Sequence, residues 1–415
     1  MATCIWQGGA TAVAQQVRLT PGGTIEADDR FLVTIGQRTL NVAAGGTTPA
    51  AVVDALAAAW ASVGPEFDEL TITDEGDTLL VEAATAGVPF TLVLATTEAG
   101  GGAADDQTFQ QSTVRANAGP YCWDTASNWS TGTVPTTGDT VIFENSSIDC
   151  LYGLDQASVT LAALRIRQSY TGTIGLPRVN ASGYTEHRPT YLAIGALLID
   201  VGLGDGAGSG RIKIDTGSAL TSITVRNTGT PLETGIGALV WKGTNASNTL
   251  TAIKGSMSIA PFGDETAKLS TLIISYAANQ AGDVTLRCGD GLTLSTVSVY
   301  GGSALFQNNI TTLAQYGGTV EVLGAATITT ATLFGGTLKL NGTGTITTLN
   351  VHNGAMVRKN VGAQEITNVN LYAGFGLSDP MRLITASNGY TFHGCAPSDG
   401  TFDIGRHLII GTSEI

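Results

Sequence analysis

Five stretches between residues 294 and 374 repeat one pattern, and that repeat constrains the fold more than anything else in the chain. Leu294-Ser-Thr-Val-Ser-Val-Tyr-Gly-Gly is followed by Ile310-Thr-Thr-Leu-Ala-Gln-Tyr-Gly-Gly and Ile328-Thr-Thr-Ala-Thr-Leu-Phe-Gly-Gly. Ile346-Thr-Thr-Leu-Asn-Val-His-Asn-Gly and Ile366-Thr-Asn-Val-Asn-Leu-Tyr-Ala-Gly complete the series. Their starts are spaced 16, 18, 18 and 20 residues apart. A fixed period of this size is the signature of a repeat architecture.

Within each unit the apolar residues alternate with Thr, Asn or Lys, as Ile328, Ala331, Leu333, Leu338 and Leu340 show. Alternation means strand, and the Thr, Val and Ile content suits a half-buried pleated surface. The Gly-Gly or Asn-Gly pair recurs where the chain must turn a corner. A unit this long holds three short strands and three corners, which is one coil of a parallel β-helix whose neighbouring coils stack about 4.8 Å apart. A propeller blade needs about 40 residues, and a leucine-rich repeat needs a helical return that is missing here. The expected fold class is mainly β: a small N-terminal α+β domain followed by a single-stranded parallel β-helix, a solenoid, with N- and C-terminal caps.

A solenoid grows in one dimension, so 415 residues fit one elongated body. The 54 glycines and 13% charged residues fit a turn-rich all-β chain, and the 43% apolar content excludes disorder. The net charge of −14 repels phosphate backbones, so no nucleic-acid partner is expected. No apolar run reaches the roughly 18 residues of a membrane span, so no membrane is expected either. The start, Met1-Ala-Thr-Cys-Ile-Trp, has no basic region and no apolar signal core, from which synthesis in a cytoplasm is expected. The five cysteines lack C-x-x-C spacing and read as buried free thiols, with Cys122 and Cys150 the one pair to check for a disulfide.

Residues 1–106 read as the N-terminal α+β docking domain with a glycine-rich linker at its end. Strands over 31–35 and 39–42 form a two-residue hairpin around Gly36-Gln37. Thr48 caps and Pro49 opens the single strong helix, which Gly64 stops. A second hairpin pairs 69–73 with 78–83, and a further strand covers 88–94, giving ββαβββ. Trp60 reads as core. Residues 107–160 hold a connecting strand, 108–114, and a tryptophan-rich N-cap in which Trp123, Trp129 and a Pro135-x-x-Gly-Asp139 turn close the open end. The β-helix covers 161–376 in about nine coils, with openings also at Leu161, Leu220, Leu250 and Leu269. The gap between 161 and 220 must hold an insertion or an extra coil; it contains Glu186, His187 and Arg188, and the glycine-rich 202–210. Residues 377–415 read as a C-terminal cap or docking tail.

Nothing in the chain predicts a catalytic, cofactor-binding or metal site. Residues 202–210 lack the Gly-Lys-Ser/Thr ending of a phosphate loop, and nucleophile-elbow, H-E-x-x-H and calcium-loop patterns are missing. A polysaccharide-cleaving site would need carboxylates or Asp, Arg and Lys gathered on one face. Asp283, Asp290, Glu321 and Glu365 do not recur at the repeat spacing, and Arg287, Arg358 and Lys359 are isolated. His352 stands where sister coils carry Tyr or Phe and reads as a stacking position. The expectation is no enzyme.

Gly22-Gly-Thr-Ile-Glu-Ala-Asp-Asp-Arg-Phe-Leu-Val-Thr-Ile and Thr85-Ala-Gly-Val-Pro-Phe-Thr-Leu resemble a small β-rich domain of bacteriophage and prophage virion proteins. The Trp123…Asn128-Trp129…Pro135…Asp139 segment is similar to the first coil of β-helical surface proteins of bacteria and their phages. The resemblance implies a virion structural protein assembled in the host cytoplasm. First among its forms is a capsid decoration or cement protein docking through residues 1–106 to other virion proteins, the major capsid protein or tail proteins. The alternatives are a tail spike or receptor-binding protein recognising a cell-surface glycan, a polysaccharide lyase or hydrolase, and a secreted adhesin. Virion β-helices are often trimers, so a homo-oligomer is expected.

Overall fold

The computed structural model describes residues 1–98, 106–274 and 284–405. Two long parallel sheets dominate it, and the chain crosses from one to the other at each half-rung. The longer sheet stacks Thr3–Ile5, Thr140–Phe143, Ala163–Ile166, Leu198–Val201, Ser222–Val225 and Thr249–Ala252, and continues from Ala267–Ile274 to Ile384–Ala386. The second sheet runs from Asp155–Leu161 to Thr401–Asp403. Each strand pairs in parallel with the strand one rung away, as Ile328–Leu333 pairs with Ile310–Gln315 and Ile346–Val351. The protein is mainly β, with the long parallel sheets of a β-helix or solenoid.

Each regular rung shows two named strands rather than three. The strand of the longer sheet is bent, which supplies the missing corner. Ile328, Ala331 and Leu333 are all buried, yet the first two are three residues apart, a spacing that a straight strand would send to opposite faces. The paired register accordingly skips Thr329. Leu313, Ala331, Leu349 and Val369 then stack in register as one buried column. A fully buried Leu or Ile contributes about 1.5–3 kcal/mol, and the rungs repeat this contribution along the axis. At the glycine corner, Gly336 has φ +78°, and a Cβ there would lie 2.5 Å from the Gly318 carbonyl oxygen one rung below. Torsion and space both require glycine.

Between residues 161 and 374 the longer sheet has ten strands among the described residues, where about nine coils were expected. The additional one is Leu198–Val201, so the gap between 161 and 220 holds an extra coil together with a loop. Parallel pairing also continues past 376. Ile384–Ala386 and Tyr390–His393 both stack on Gln364–Tyr372, and Thr401–Asp403 pairs with Gly376–Ser378. Phe375, Tyr390, Phe392 and Phe402 pack there with centroids 5.2–6.0 Å apart. The last part of the expected C-terminal cap or docking tail, residues 406–415, lies outside the described residues.

Residues 1–106 do not hang together as read from sequence. Thr3–Ile5 is the first strand of the longer sheet, paired with Thr140–Phe143. The antiparallel elements form a region spliced into the chain after it. Its first and last strands, Gln16–Gly23 and Gln107–Arg115, pair with each other. Val13 N–H donates to the Ala118 carbonyl at 2.7 Å, so the region's two ends meet. Leu70–Asp74 and Leu79–Ala83 complete its four-stranded sheet, and Arg38–Ala43, Arg30–Ile35 and Val93–Thr97 form a three-stranded one. Both pack on the helix Pro49–Trp60, and Leu19, Phe31, Val53, Leu56, Trp60 and Val81 share one core. The Thr48 hydroxyl caps this helix, accepting from Ala51 N–H at 3.3 Å. The helix ends at Trp60, four residues before Gly64, which instead precedes the short helix Pro65–Asp68. The strand expected over 88–94 forms later, at Val93–Thr97. Pro89 lacks an N–H, and the Gln15 side chain takes both backbone groups of Phe90, at 3.0 Å each.

The tryptophan-rich segment plugs the solenoid's first rung. Trp6, Trp123, Trp129 and Phe143 are buried, with Trp123 and Trp129 centroids 4.6 Å apart and Trp6 and Trp129 5.1 Å apart. Trp129 Nε1 donates to the Trp123 carbonyl at 2.8 Å, and Trp6 Nε1 to the Ile148 carbonyl at 2.9 Å. Buried Asn128 donates to the Gly119 and Cys122 carbonyls and accepts from Ala10 N–H. The Asp139 carboxylate accepts from the Ala2 and Thr136 N–H groups, which hold it below the usual carboxylate range. All five cysteines are free, Cys122 and Cys150 included. Burial, with nearby Asp124, pushes the Cys122 thiol up to about 11.

Candidate interaction surfaces

Among the described residues, two surface features stand out. The first is a ladder of rings along one edge of the solenoid. Tyr300, Tyr316, Phe334, His352, Tyr372 and His393 occupy one register position on six successive rungs and stack face to face. Their centroids are 4.7, 5.1, 4.8, 4.1 and 4.7 Å apart, and no interplanar angle exceeds 19°. These spacings follow the strand separation of the sheet, so a ring on every rung must stack. His352 takes the stacking place read for it, and burial moves its pKa below the ordinary value.

Two residues away along each strand, a polar ladder runs beside the rings. Asn350 Nδ2 donates to Thr332 Oγ1 at 3.1 Å, and Asn370 Nδ2 donates to Asn350 Oδ1 at 2.9 Å. His393 Nε2 lies 3.0 Å from Asn370 Oδ1. In the interior of the ring stack each face is covered by the next ring. The surface therefore offers ring edges, Thr hydroxyls and amides, not open faces on which a sugar could lie.

The second place is the junction of the antiparallel region with the solenoid flank. The loop holding Glu186, His187 and Arg188 reaches across to residues 69 and 89. Arg188 Nη2 pairs with Glu69 Oε2, Nη1 with Glu186 Oε1 at 3.0 Å, and Nε donates to the Pro89 carbonyl at 2.7 Å. The Tyr184 hydroxyl donates to Glu69, and His187 stacks on Tyr184. At the Gly36 hairpin turn (φ +56°), an added Cβ would fall 2.8 Å from His187 Cβ. The side chains of Arg188 and Glu186 are 8% and 3% exposed, and that of Glu69 28%. Burial opposes the Arg188 charge, but the Glu69 hydrogen bond and both carboxylates outweigh it, and its pKa rises. Burial, then Arg188, pushes the His187 pKa down. Burial and Glu69 push Tyr184 up. A cleft of about 500 Å³ opens beside these groups, bounded by Tyr152, Leu176, Asn180 and Arg211. Glu186, His187 and Arg188 fall in the gap expected between 161 and 220, but no local signal pairs Arg188 with Glu69, 119 residues away.

The remaining sequence candidates lie apart. Arg287 donates to the Gly235 carbonyl rather than meeting Asp290. Glu321 accepts from Asn341 Nδ2, and Glu365 from the Ser387 hydroxyl. Asp283 lies outside the described residues. The glycine-rich 202–210 packs on the neighbouring turns, with Gly208 N–H donating to the Gln168 carbonyl at 2.9 Å. Arg358 and Lys359 point to opposite sides of their strand. Lys359 is fully buried, donating to the Gly342 carbonyl at 2.6 Å and to Gln364 Oε1 at 3.0 Å. Burial lowers its pKa to about 8.

An unfolded lysine titrates near 10.4. The unfolded chain therefore binds more protons than the folded one between about pH 8 and 10, and folding stability rises with pH there. Lys359→Met removes this dependence. The melting temperature of the parent should gain on that of the variant as pH is raised from about 7 to 10. Parallel melting curves across that window would show that Lys359 is not a buried, charge-penalised group.

No protein-family model, curated protein or solved structure matches the chain.

Proposed function

We propose that this chain is a non-enzymatic structural component of a bacteriophage particle, of the decoration or cement kind. The solenoid acts as a stiff strut, and the antiparallel region docks it to the major capsid protein or a tail protein. The observation that carries this reading is how the ionisable groups are used. At the junction, Arg188 pairs with both Glu69 and Glu186 and so ties two parts of the chain in a fixed geometry, and on the solenoid Lys213 and Lys242 are likewise paired, with Glu233 and with Asp215 and Glu265. The regular rungs present Thr, Asn and stacked rings. The resemblance of residues 22–35 and 85–92 to a virion domain points the same way. The protein would be made in the host cytoplasm and reside in the virion. The exposed ring edges suit packing against further copies, as in a homotrimer.

A tail-spike reading is the second choice. Its support is the row of Thr hydroxyls and Asn amides beside the ring edges, groups that hydrogen-bond sugar hydroxyls without needing an open ring face.

The test uses the meeting of the region's ends. Residues 14–117 replaced by a short Gly-Ser bridge should leave a soluble chain with a parallel-β circular dichroism spectrum, because Val13 and Ala118 are already hydrogen-bonded. The intact chain should co-sediment with particles released by the producing bacteria, and antibodies against it should label them. The excised chain should do neither. Attachment by the excised chain would defeat the docking role, and binding of the excised solenoid to cell-surface glycans would favour the tail-spike reading. Turnover of an acidic polysaccharide would overturn both.

A further inference from the structure

We infer that Glu26, Asp29 and Glu98 form a binding site for a calcium ion in the antiparallel region. The sheet register builds the site. Arg30 pairs with Thr97, which sets Asp29, one residue before Arg30, beside Glu98, one residue after Thr97. The turn ahead of Arg30–Ile35 brings in Glu26: Asp29 N–H donates to the Glu26 carbonyl at 3.2 Å, and Glu26 N–H donates to Asp29 Oδ2 at 2.7 Å. One carboxylate oxygen from each of the three residues lies within 4.8 Å of the others. Oxygens that share one Ca²⁺ at 2.3–2.6 Å can be no farther apart than roughly twice that distance.

Clustered carboxylates alone carry no such conclusion. The second observation is Asp29 itself. It is 1% exposed, and its Oδ1 is buried with no hydrogen-bond partner. A buried carboxylate oxygen without a donor is costly unless a cation meets it. Asp29 and Glu26 enter none of the ion pairs found among the described residues. The donor set is all oxygen, which selects a hard cation over zinc or copper. Ca²⁺ accepts several protein carboxylates in an irregular shell, whereas Mg²⁺ demands octahedral geometry and keeps its waters. No Asp-x-Asp-x-Asp-Gly loop announces the site, because its third ligand comes from a distant strand.

The full chain, stripped with EGTA, should bind Ca²⁺ in isothermal titration with a dissociation constant at or below about 1 mM. Its melting temperature should rise by several degrees at saturating Ca²⁺ and much less with Mg²⁺. Asp29→Asn should lose the calcium response, while melting no lower than the calcium-free parent, since it removes an unmet charge. Glu26→Gln, at a solvent-accessible position, should weaken binding at least tenfold with the fold intact, and it decides the matter if the Asp29 variant does not fold. No binding heat at millimolar Ca²⁺, an equal response to Mg²⁺, or an undiminished response in a folded variant would overturn the site.

Discussion

Replacing Arg188 by alanine should loosen the antiparallel region from the solenoid and lower the stability of that contact by about 3 kcal/mol, the cost of leaving buried charges without their partner. Glu186 and Glu69 would then face each other with no cation between them, and the Pro89 carbonyl would lose its donor. Arg188→Lys should recover little, because one ammonium cannot reach three acceptors that a planar guanidinium serves at once. The measurement is thermal unfolding together with limited proteolysis. The parent should melt as one body, and the alanine variant in two steps, with faster cleavage in residues 178–190. A single transition at the parental temperature and an unchanged digestion pattern would mean that the Arg188 cluster does not join the two parts.

Trp129→Ala should cost about 3–5 kcal/mol, as expected when a large buried ring is removed from a packed site. The loss is not local in its effect. Trp129 touches Trp6, Trp123 and Phe143, and its indole nitrogen ties down the Trp123 carbonyl. Without it the first strand, Thr3–Ile5, should fray and expose the edge of Thr140–Phe143 to other chains. Lower melting temperature, concentration-dependent association in size-exclusion chromatography and rapid hydrogen exchange at residues 3–6 are the expected readouts. Phe334→Ala serves as the control: the residue is 45% exposed, so it should cost much less. If the two variants melted alike, the tryptophan cluster would not be a plug.

The repeat was legible because each rung solves the same packing problem with the same residues. Alternation at Leu338 and Leu340, and glycine at 318 and 336, follow from local rules of strand and corner. The hairpin at Gly36, the Thr48 cap and the burial of Trp60 were legible for the same reason. Where a distant partner took over, the local reading drifted. The strand expected at 88–94 moved because Gln15 occupies the backbone of Phe90. The coil at Leu198–Val201 was hidden because the loop carrying Arg188 separates it from the previous rung. Nothing local marks Thr3–Ile5 as a solenoid strand, because its partner strand begins 135 residues after it ends.

The sequence by itself determined that the chain is a stack of short β rungs with glycine corners, closed by tryptophans, since period, alternation and turn chemistry all act within a few residues. Only the tertiary structure decided that the antiparallel region is an insert rather than a leading domain. It also decided that Arg188 bridges that insert to the solenoid, that Lys359 points inward, and that Asp29 meets Glu98. Those outcomes depend on strand register between distant segments, where one residue of slip exchanges inside for outside, and no local pattern encodes that register.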